Sequence, residues 1–411
     1  MRRHVKWILL CVLLLAVALF AAVSLLHDSE MLLDVSRSNR PAATTRVRET
    51  YPETAERTFL PNDGTVRPVG RTLFDGTTRW FSLSGCGVEF SCVAEWADIT
   101  LTVASSYAVV YHHRPRVAVF VNGTPAADEI LDDAETTIHV DLPSASEESV
   151  IRVIKLSESM YSCVGVSAVS VMSNAAVTPT PQPDLLLEFI GDSITAGYGL
   201  DAESEYSSFS TRTENYMETY AYLTAQALGA ESYAVAYSGY GVLSAFTNNG
   251  VIRPDLVLSK RYGKTLTNLI LEDGQSDDWT FEKPKPTQIV INLGTNDASY
   301  CYTAERRAAF VRAYVELLQQ VRVSNEGVPI ICVLGDMNAA MMPYIEEAVS
   351  DYRMETGDTL VISTPLTFQM ETLGSTIDGH PNRDSNKLAA ETLTAFLWQT
   401  SLGTAPVNAA D

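Results

Sequence analysis

Short runs of alternating apolar and polar residues occupy the chain between residues 63 and 176. The runs are 80–83, 88–92, 99–103, 117–121, 137–142, 150–156 and 166–172. Alternation with a period of two places the apolar side chains on one face of a strand. Turn residues separate the runs, such as Asn122-Gly123, which we interpret as a hairpin turn rather than as the start of a glycosylation triplet. Many short strands joined by turns predict an all-β domain, an antiparallel sandwich or barrel, over 63–176.

The pattern changes after residue 184, where apolar runs alternate with stretches of helical spacing. The apolar runs are 185–190, 232–237, 289–293, 330–334 and 360–362. The clearest helical stretch is 303–321, in which the apolar residues that recur at helical spacing are Phe310, Val311, Tyr314, Leu317, Leu318 and Val321. Alternating strands and helices predict a parallel sheet with helices on both faces over 185–402, an α/β domain. Ligands of such sheets bind at the carboxyl ends of the strands.

Three further segments lack strand or helix periodicity. Residues 31–62 are rich in Ser, Thr, Arg and Pro, which predicts a stalk or linker before the β domain. Residues 177–184 contain three prolines and are typical of a stiff connector between the two domains. Residues 403–411 form a short tail.

The chain begins with a membrane-type segment, residues 1–30. An uncharged apolar run of 20 residues, 7–26, is long enough to cross a bilayer as a helix. Basic residues precede it and acidic residues follow it, namely Arg2, Arg3 and Lys6, then Asp28, Glu30 and Asp34. This charge pattern predicts a single-pass membrane anchor with the amino end inside and the rest of the chain outside the cell. The alternative is a secreted protein whose signal is cleaved near the small residues Ala16 and Ala18.

The net charge and the cysteine spacing limit which binding partners and which metal sites we expect. The chain of 411 residues has 29 Lys and Arg against 50 Asp and Glu, a formal charge of -21, which argues against nucleic acid and favours a neutral substrate. Five cysteines lie beyond the apolar run without metal-type spacing beside histidines, so we expect neither a metal nor a cofactor. A disulfide within Cys86, Cys92 and Cys163 and buried free thiols are equally open interpretations.

Polar loops follow the predicted parallel strands and carry a possible nucleophile with its helpers. Ser193 follows the first strand, and a serine needs a neighbouring base, most often an imidazole. His380 is the single histidine between residues 184 and 411, so it must be that base, and Asp378 can turn back to hold its ring. The backbone N–H groups of Ser193 and Gly239 and the side-chain amide of Asn296 would stabilise an oxyanion.

These loops resemble the conserved blocks of the SGNH (GDSL) hydrolase superfamily, with Ser193, Gly239, Asn296 and His380 in the family's order. The resemblance implies a flavodoxin-like sheet and ester hydrolysis without a metal. The preceding domain, with Gly70-Arg71 and the segment 150–158, resembles carbohydrate esterase family 2 over residues 65–398. That resemblance implies a jelly-roll sandwich joined to the hydrolase domain, and removal of acetyl groups from xylan or glucomannan.

Aromatic residues in the same loops are candidates for contacts with the substrate. Tyr198, Tyr240, Tyr300 and Tyr302 are candidates for stacking on sugar rings, although tyrosines more often pack inside proteins. Gly379 stands where the family leads us to expect a bulkier residue. Two alternatives to a polysaccharide O-acetyl esterase are a peptidoglycan or lipid ester hydrolase and a non-catalytic glycan-binding surface protein.

Overall fold

The computed structural model describes residues 48–104, 111–266, 278–281 and 285–402. The predicted anchor at 7–26 and the tail at 403–411 lie outside the described residues. Within the described ranges, no helix has both the length and the apolar character needed to cross a bilayer. From Glu49 onward the described residues form one compact unit.

The β domain consists of two six-stranded antiparallel sheets, which confirms the predicted antiparallel architecture. The first sheet has the order β3 (Leu73–Phe74), β4 (Arg79–Phe81), β11 (Val164–Ala175), β6 (Trp96–Val103) and β9 (Glu135–Asp141), and β1 (Thr50–Phe59) also pairs with β11. The second has the order β12 (Thr178–Pro179), β5 (Gly87–Cys92), β10 (Ser149–Lys155), β7 (Arg116–Val121) and β8 (Thr124–Ile130), and β2 (Arg67–Val69) pairs with β5. Alternate residues of β6 are buried, and apolar side chains of both sheets form one core.

Strand β1 corrects the prediction of a stalk at residues 50–59, whereas residues 31–47 of that predicted stalk lie outside the described residues. Residues 50–59 pair antiparallel with β11, and the hydroxyl groups of Thr58 and Ser170 lie 2.7 Å apart across the pair. Most side chains of β1 are exposed or half-buried, so backbone hydrogen bonds rather than apolar burial hold the strand. For that reason the segment has no apolar periodicity that could have revealed a strand.

Strands β7 and β8 are joined by the turn predicted at Asn122-Gly123. Both residues have positive φ, 51° and 79°, as a type I′ hairpin turn requires. The side-chain oxygen of Asn122 also accepts a hydrogen bond of 2.8 Å from the backbone N–H of Val150. The hairpin interpretation is therefore confirmed.

The second domain is a five-stranded parallel sheet. Its strands are β13 (Leu186–Gly191), β14 (Glu231–Ala236), β15 (Gln288–Asn292), β16 (Ile330–Gly335) and β17 (Val361–Leu366). The six α-helices of the described residues are α1 (Ser193–Ala196), α2 (Tyr220–Ala227), α3 (Ala304–Ser324), α4 (Met342–Thr356), α5 (Met370–Leu373) and α6 (Arg383–Leu397). In order of occurrence the strands run 2-1-3-4-5, the flavodoxin-like order, which confirms the predicted α/β fold.

Helices cover both faces of this sheet. Apolar residues of α2 and α6 pack with Phe189 on one face, whereas those of α3 and α4 pack in the core that contains Ile190. Helix α3 buries all six apolar residues of the predicted stripe. It begins after Thr303, whose hydroxyl accepts a hydrogen bond from the N–H of Arg306.

Buried ion pairs join the β domain to the parallel sheet. Arg71, which is 0% exposed, donates to the carboxylate of Glu188 on β13 at 3.1 Å and to the backbone carbonyl of Tyr262. The hydroxyl of Tyr233 on β14 donates to the same carboxylate. The backbone N–H of Ala234 on β14 bonds to the carbonyl of Ser84 at 2.9 Å. The two predicted domains are thus packed together through a shared core.

The cysteines of the β domain do not form the disulfide considered above. Cys86 and Cys163 are free, buried thiols, and any pair within the three candidates requires at least one of them. The thiol of Cys86 accepts a hydrogen bond from the N–H of Arg71, and that of Cys163 donates to the carbonyl of Phe81. Burial raises the pKa of both thiols to about 12, which leaves them protonated and unreactive.

Candidate active site

The predicted nucleophile lies at the turn between β13 and α1. Asp192 caps this short helix, with its carboxylate accepting a hydrogen bond of 3.1 Å from the N–H of Ile194. A Cβ atom on Gly191 would approach the hydroxyl of Thr195 to 2.1 Å, so the turn requires glycine there. The hydroxyl oxygen of Ser193 is 2.7 Å from Nε2 of His380. Both side chains are more than nine-tenths buried, and the structure brings the predicted nucleophile and base together.

The imidazole of His380 is oriented by the main chain. Its Nδ1 is 3.0 Å from the carbonyl oxygen of Ile377, an acceptor, so Nδ1 carries the proton and Nε2 can accept the proton of Ser193. Burial lowers the pKa of His380, while the Ile377 carbonyl and the charge of Asp378 partly counteract that effect. The imidazole is therefore neutral at neutral pH, as a general base requires.

The predicted contact from Asp378 to the imidazole is not made. Asp378 is exposed and has φ of +53°, within the 3₁₀ turn Ile377–Gly379 that brings the carbonyl of residue 377 to the ring. Its carboxylate instead accepts a hydrogen bond of 2.9 Å from the hydroxyl of Tyr198. The ring of Tyr198 stacks on His380 with centroids 4.4 Å apart. Asp378 thus acts on the imidazole through Tyr198 and through its charge, and Tyr198 packs on the base.

We predict that Asp378→Asn keeps kcat within about 10-fold of the wild type, because it removes one exposed charge and no bond to the imidazole. Asparagine tolerates the left-handed backbone at this position. The loss of the charge lowers the pKa of His380 further. The base is active above its pKa, so the acidic fall in activity, expected below the usual 6.5, moves to lower pH in the variant. A kcat–pH profile measures both effects, and a loss near 10⁴-fold would assign Asp378 a direct role on the imidazole.

The predicted oxyanion donors are the backbone N–H groups of Ser193 and Gly239 and the side-chain amide of Asn296. Gly239 has φ of +78°, and a Cβ atom built on it would meet no atom within 4 Å, so this glycine borders open space. Among the described residues, no acceptor is hydrogen-bonded to the N–H of Ser193 or of Gly239. Asn296 also lies at the site, but its amide donates to the carboxylate of Asp192 at 3.1 Å and to the carbonyl of Tyr240 at 2.8 Å. The Asn296 amide must therefore break one of these two hydrogen bonds before it can donate to the oxyanion.

A buried carboxylate fixes the loop that carries Gly239. Asp297 accepts three backbone N–H bonds of 2.8–2.9 Å, from Val242, Leu243 and Ser244. Burial raises the pKa of Asp297 to about 6. Burial, with a smaller contribution from Asp297, raises the pKa of Asp192 to about 7.

The other tyrosines predicted to stack on sugar rings pack against protein side chains. Tyr240 is 4% exposed and packs against Tyr237, so its ring is too buried to stack on a sugar. The guanidinium of Arg306 lies over the rings of Tyr300 and Tyr302, at 4.1 and 4.3 Å. Tyr302 remains 58% exposed and is the one of the four predicted tyrosines that keeps a mostly open ring.

Sequence reasoning missed Phe246. Its ring is 53% exposed, and its backbone N–H donates to the carbonyl of Gly239 at 2.9 Å, which places this residue beside the oxyanion loop. A large aromatic residue within the polar loop after β14 was a signal that could have revealed it.

Comparisons with known proteins find a matching family model and related proteins. Residues 189–361 match the model of the GDSL-like lipase/acylhydrolase family. The chain is 30% identical over 321 residues to a cellulase/esterase, CelE, of Acetivibrio thermocellus, covering 76% of this chain and 36% of that protein. It is 24% identical over 348 residues to an acetylxylan esterase/glucomannan deacetylase of Cellvibrio japonicus, covering 83% of this chain and 90% of that protein. The chain thus spans about a third of the length of the first relative and most of the second.

A solved structure extends the likeness to both domains. A family two carbohydrate esterase from Clostridium thermocellum, in complex with cellohexaose, superposes with a TM-score of 0.69 and 27% identity. The match covers 82% of this chain and 99% of that one. The resemblance to the family two carbohydrate esterases is therefore confirmed.

Proposed function

We propose that this protein, whose residues 189–361 match the model of the GDSL-like lipase/acylhydrolase family, is a serine esterase that removes O-acetyl groups from polysaccharides of the xylan or glucomannan type. The observation that carries the proposal is the 2.7 Å contact between the hydroxyl of Ser193 and Nε2 of His380. The names of the relatives from Acetivibrio and Cellvibrio support the substrate class.

The reaction follows from the positions of these groups. Oγ of Ser193 attacks the acetyl carbonyl carbon while its proton passes to Nε2 of His380. The carbonyl oxygen gains the negative charge and accepts hydrogen bonds from the N–H groups of Ser193 and Gly239. The bond from the carbonyl carbon to the sugar oxygen then breaks, and His380 gives its proton to that oxygen.

Deacetylation repeats the steps with water. His380 removes a proton from a water molecule, whose oxygen attacks the acetyl-serine carbonyl. Acetate leaves, and the proton returns to Oγ of Ser193.

The surface around the serine suits a neutral sugar chain. Phe246 and Tyr302 have exposed rings, and aromatic faces bind the apolar faces of pyranose rings. The N–H of Phe246 is bonded to the carbonyl of Gly239, and the hydroxyl of Tyr302 lies beside Gly250 of the same loop. We also propose that the enzyme works outside the cell, because Arg2, Arg3 and Lys6 precede the apolar run at 7–26.

The test is acetate release by the purified protein from acetylated xylan, acetylated glucomannan and acetylated peptidoglycan. We expect release from the two plant polysaccharides and none above background from Ser193→Ala. Release from peptidoglycan alone would change the substrate class. Absence of release from all three, together with failure of Ser193 to react with an organophosphonate, would support the non-catalytic glycan-binding alternative.

A further inference from the structure

A row of aromatic rings leads from His380 into the β domain. The ring of Tyr198 stacks on the imidazole of His380, with centroids 4.4 Å apart, and on the ring of Phe209, with centroids 4.2 Å apart and 10° between the planes. Phe209 also packs on Tyr161 at 5.1 Å, and Tyr161 packs on His113 at 4.6 Å. Tyr161 and His113 belong to the β domain, so the row crosses from one domain to the other.

The segment that carries Phe209 is tied to the β domain by hydrogen bonds. The carbonyl of His112 accepts a bond of 3.0 Å from the backbone N–H of Thr211 and one of 3.1 Å from its hydroxyl. Arg116 on β7 donates to the backbone carbonyl of Arg212 at 3.1 Å. The β domain therefore fixes the place of Phe209 beside Tyr198.

The loop that carries Tyr198 also contacts the turn that orients the imidazole. The hydroxyl of Tyr198 donates to Asp378 at 2.9 Å, and the carbonyl of Gly199 accepts a bond of 2.6 Å from the hydroxyl of Thr376. A Cβ atom on Gly199 would approach the side chain of Ile377 to 3.1 Å, so loop and turn are in close contact. The carbonyl of this same Ile377 bonds to Nδ1 of His380.

The imidazole needs a restraint on its tilt in addition to its hydrogen bonds. A single carbonyl oxygen holds Nδ1 of His380 but leaves the ring able to tilt about that contact. A flat ring at stacking distance opposes the tilt, because close-packed rings cannot move into each other. Proton transfer requires Nε2 to point at the hydroxyl of Ser193, and a misplacement of about 1 Å can lower a rate by about 10²-fold.

We propose that Tyr198 is a positioning residue whose ring holds the imidazole of His380 toward Ser193, and that the β domain supports this ring through Phe209. The inference rests on the proposed esterase function and adds a task in catalysis for the β domain. It also assigns Tyr198 a role other than sugar stacking, because the stacking partners of its ring are protein side chains.

The test measures kcat and KM for p-nitrophenyl acetate, a probe without sugar contacts, in Tyr198→Leu and Tyr198→Phe. Leucine removes the flat contact, so we expect kcat to fall by about 10- to 10²-fold with KM within about 3-fold of the wild type. Phenylalanine keeps the ring and loses only the hydroxyl bond to Asp378, so kcat should stay within about 3-fold. Phe209→Leu should lower kcat by about 5-fold, because Tyr198 then lacks its support.

Tyr206→Leu is the matched control for these substitutions. Tyr206 lies in the same segment as Phe209 and is 89% exposed, so the same chemical change should leave kcat unaltered there. Circular dichroism should establish that each variant remains folded.

The proton on Nδ1 of His380 gives a readout that does not use activity. Its NMR signal, assigned by its absence from His380→Ala, persists while the bond to the Ile377 carbonyl protects the proton from exchange with water. We expect the signal in the wild type, in Tyr198→Phe and in Tyr206→Leu. We expect its loss in Tyr198→Leu, where the imidazole can tilt away from that carbonyl.

Several results would overturn the inference. A kcat of Tyr198→Leu within about 3-fold of the wild type, or an equal loss in Tyr198→Phe or Tyr206→Leu, would show that the ring does not position the base. A higher KM for acetylated xylan with kcat unchanged would assign Tyr198 to sugar binding instead. An unaltered kcat in Phe209→Leu would remove the β domain from the proposal.

Failure of the proposed function gives a different result. A wild type that hydrolyses no ester refutes the esterase. The Nδ1 signal then still decides whether Tyr198 positions the imidazole, because its presence in Tyr198→Leu would refute that role.

Discussion

Replacing His380 by alanine is expected to lower kcat for ester hydrolysis by about 10⁴- to 10⁶-fold. Nε2 of His380 is the one base within hydrogen-bond distance of Ser193 in the described residues, at 2.7 Å. Without it the hydroxyl keeps its proton and is a poor nucleophile at neutral pH. KM should change little, because the imidazole acts in the reacting states. Steady-state kinetics on p-nitrophenyl acetate measure both constants.

The double variant Ser193→Ala/His380→Ala is the control for this prediction. Ser193 and His380 act as one unit, so once either is removed, removal of the other costs no further activity. The double variant should therefore be no slower than Ser193→Ala alone. Multiplication of the two losses would show that the residues act independently, in contradiction to the proposed mechanism. The change removes a ring that stacks on Tyr198, so circular dichroism should establish that each variant remains folded.

Replacing Arg71 by methionine is expected to lower the free energy of unfolding by about 3–5 kcal/mol. Methionine preserves much of the volume of the arginine side chain but leaves the carboxylate of Glu188 buried without its cation. Glu188 is 1% exposed, so water cannot replace the lost partner. Guanidinium-induced unfolding, followed by circular dichroism, measures the change. The fall should occur as one transition, because Arg71 lies between the two domains.

A second substitution distinguishes loss of charge pairing from loss of packing. In Arg71→Met/Glu188→Gln the buried side chain is neutral, and its amide oxygen can still accept from the hydroxyl of Tyr233. We expect this variant to recover part of the lost stability. If the double variant is as unstable as Arg71→Met, the contacts of the guanidinium with the carbonyl of Tyr262 and with nearby aromatic rings carry the effect instead.

The sequence allowed the fold and the reacting pair to be predicted because both depend on local patterns. The apolar stripe of α3 and the strand–helix alternation follow from burial in a two-faced sheet. Ser193 and His380 could be identified since one histidine was available in the α/β region and strand ends converge at one edge.

What could not be predicted depends on backbone geometry and on long-range contacts. The interaction of Ile377 with the imidazole involves a carbonyl group, which every residue has, so no residue type indicated it. Asp378 had the expected chemistry, yet its left-handed φ directs the carboxylate to Tyr198. Tyr161 and Phe209 belong to different domains, and only the packing of the two domains brings their rings together.

The backbone bridge between Ser84 of the β domain and Ala234 of β14 limits how this protein can be divided. Strand β14 is the edge strand of the parallel sheet, and edge strands with unpaired backbone groups invite aggregation. Here the β domain covers that edge and supplies the cation for Glu188 on the neighbouring strand. A truncated hydrolase domain would expose both the strand and the carboxylate. Gene fusions and domain exchanges that use this protein should therefore transfer both domains together.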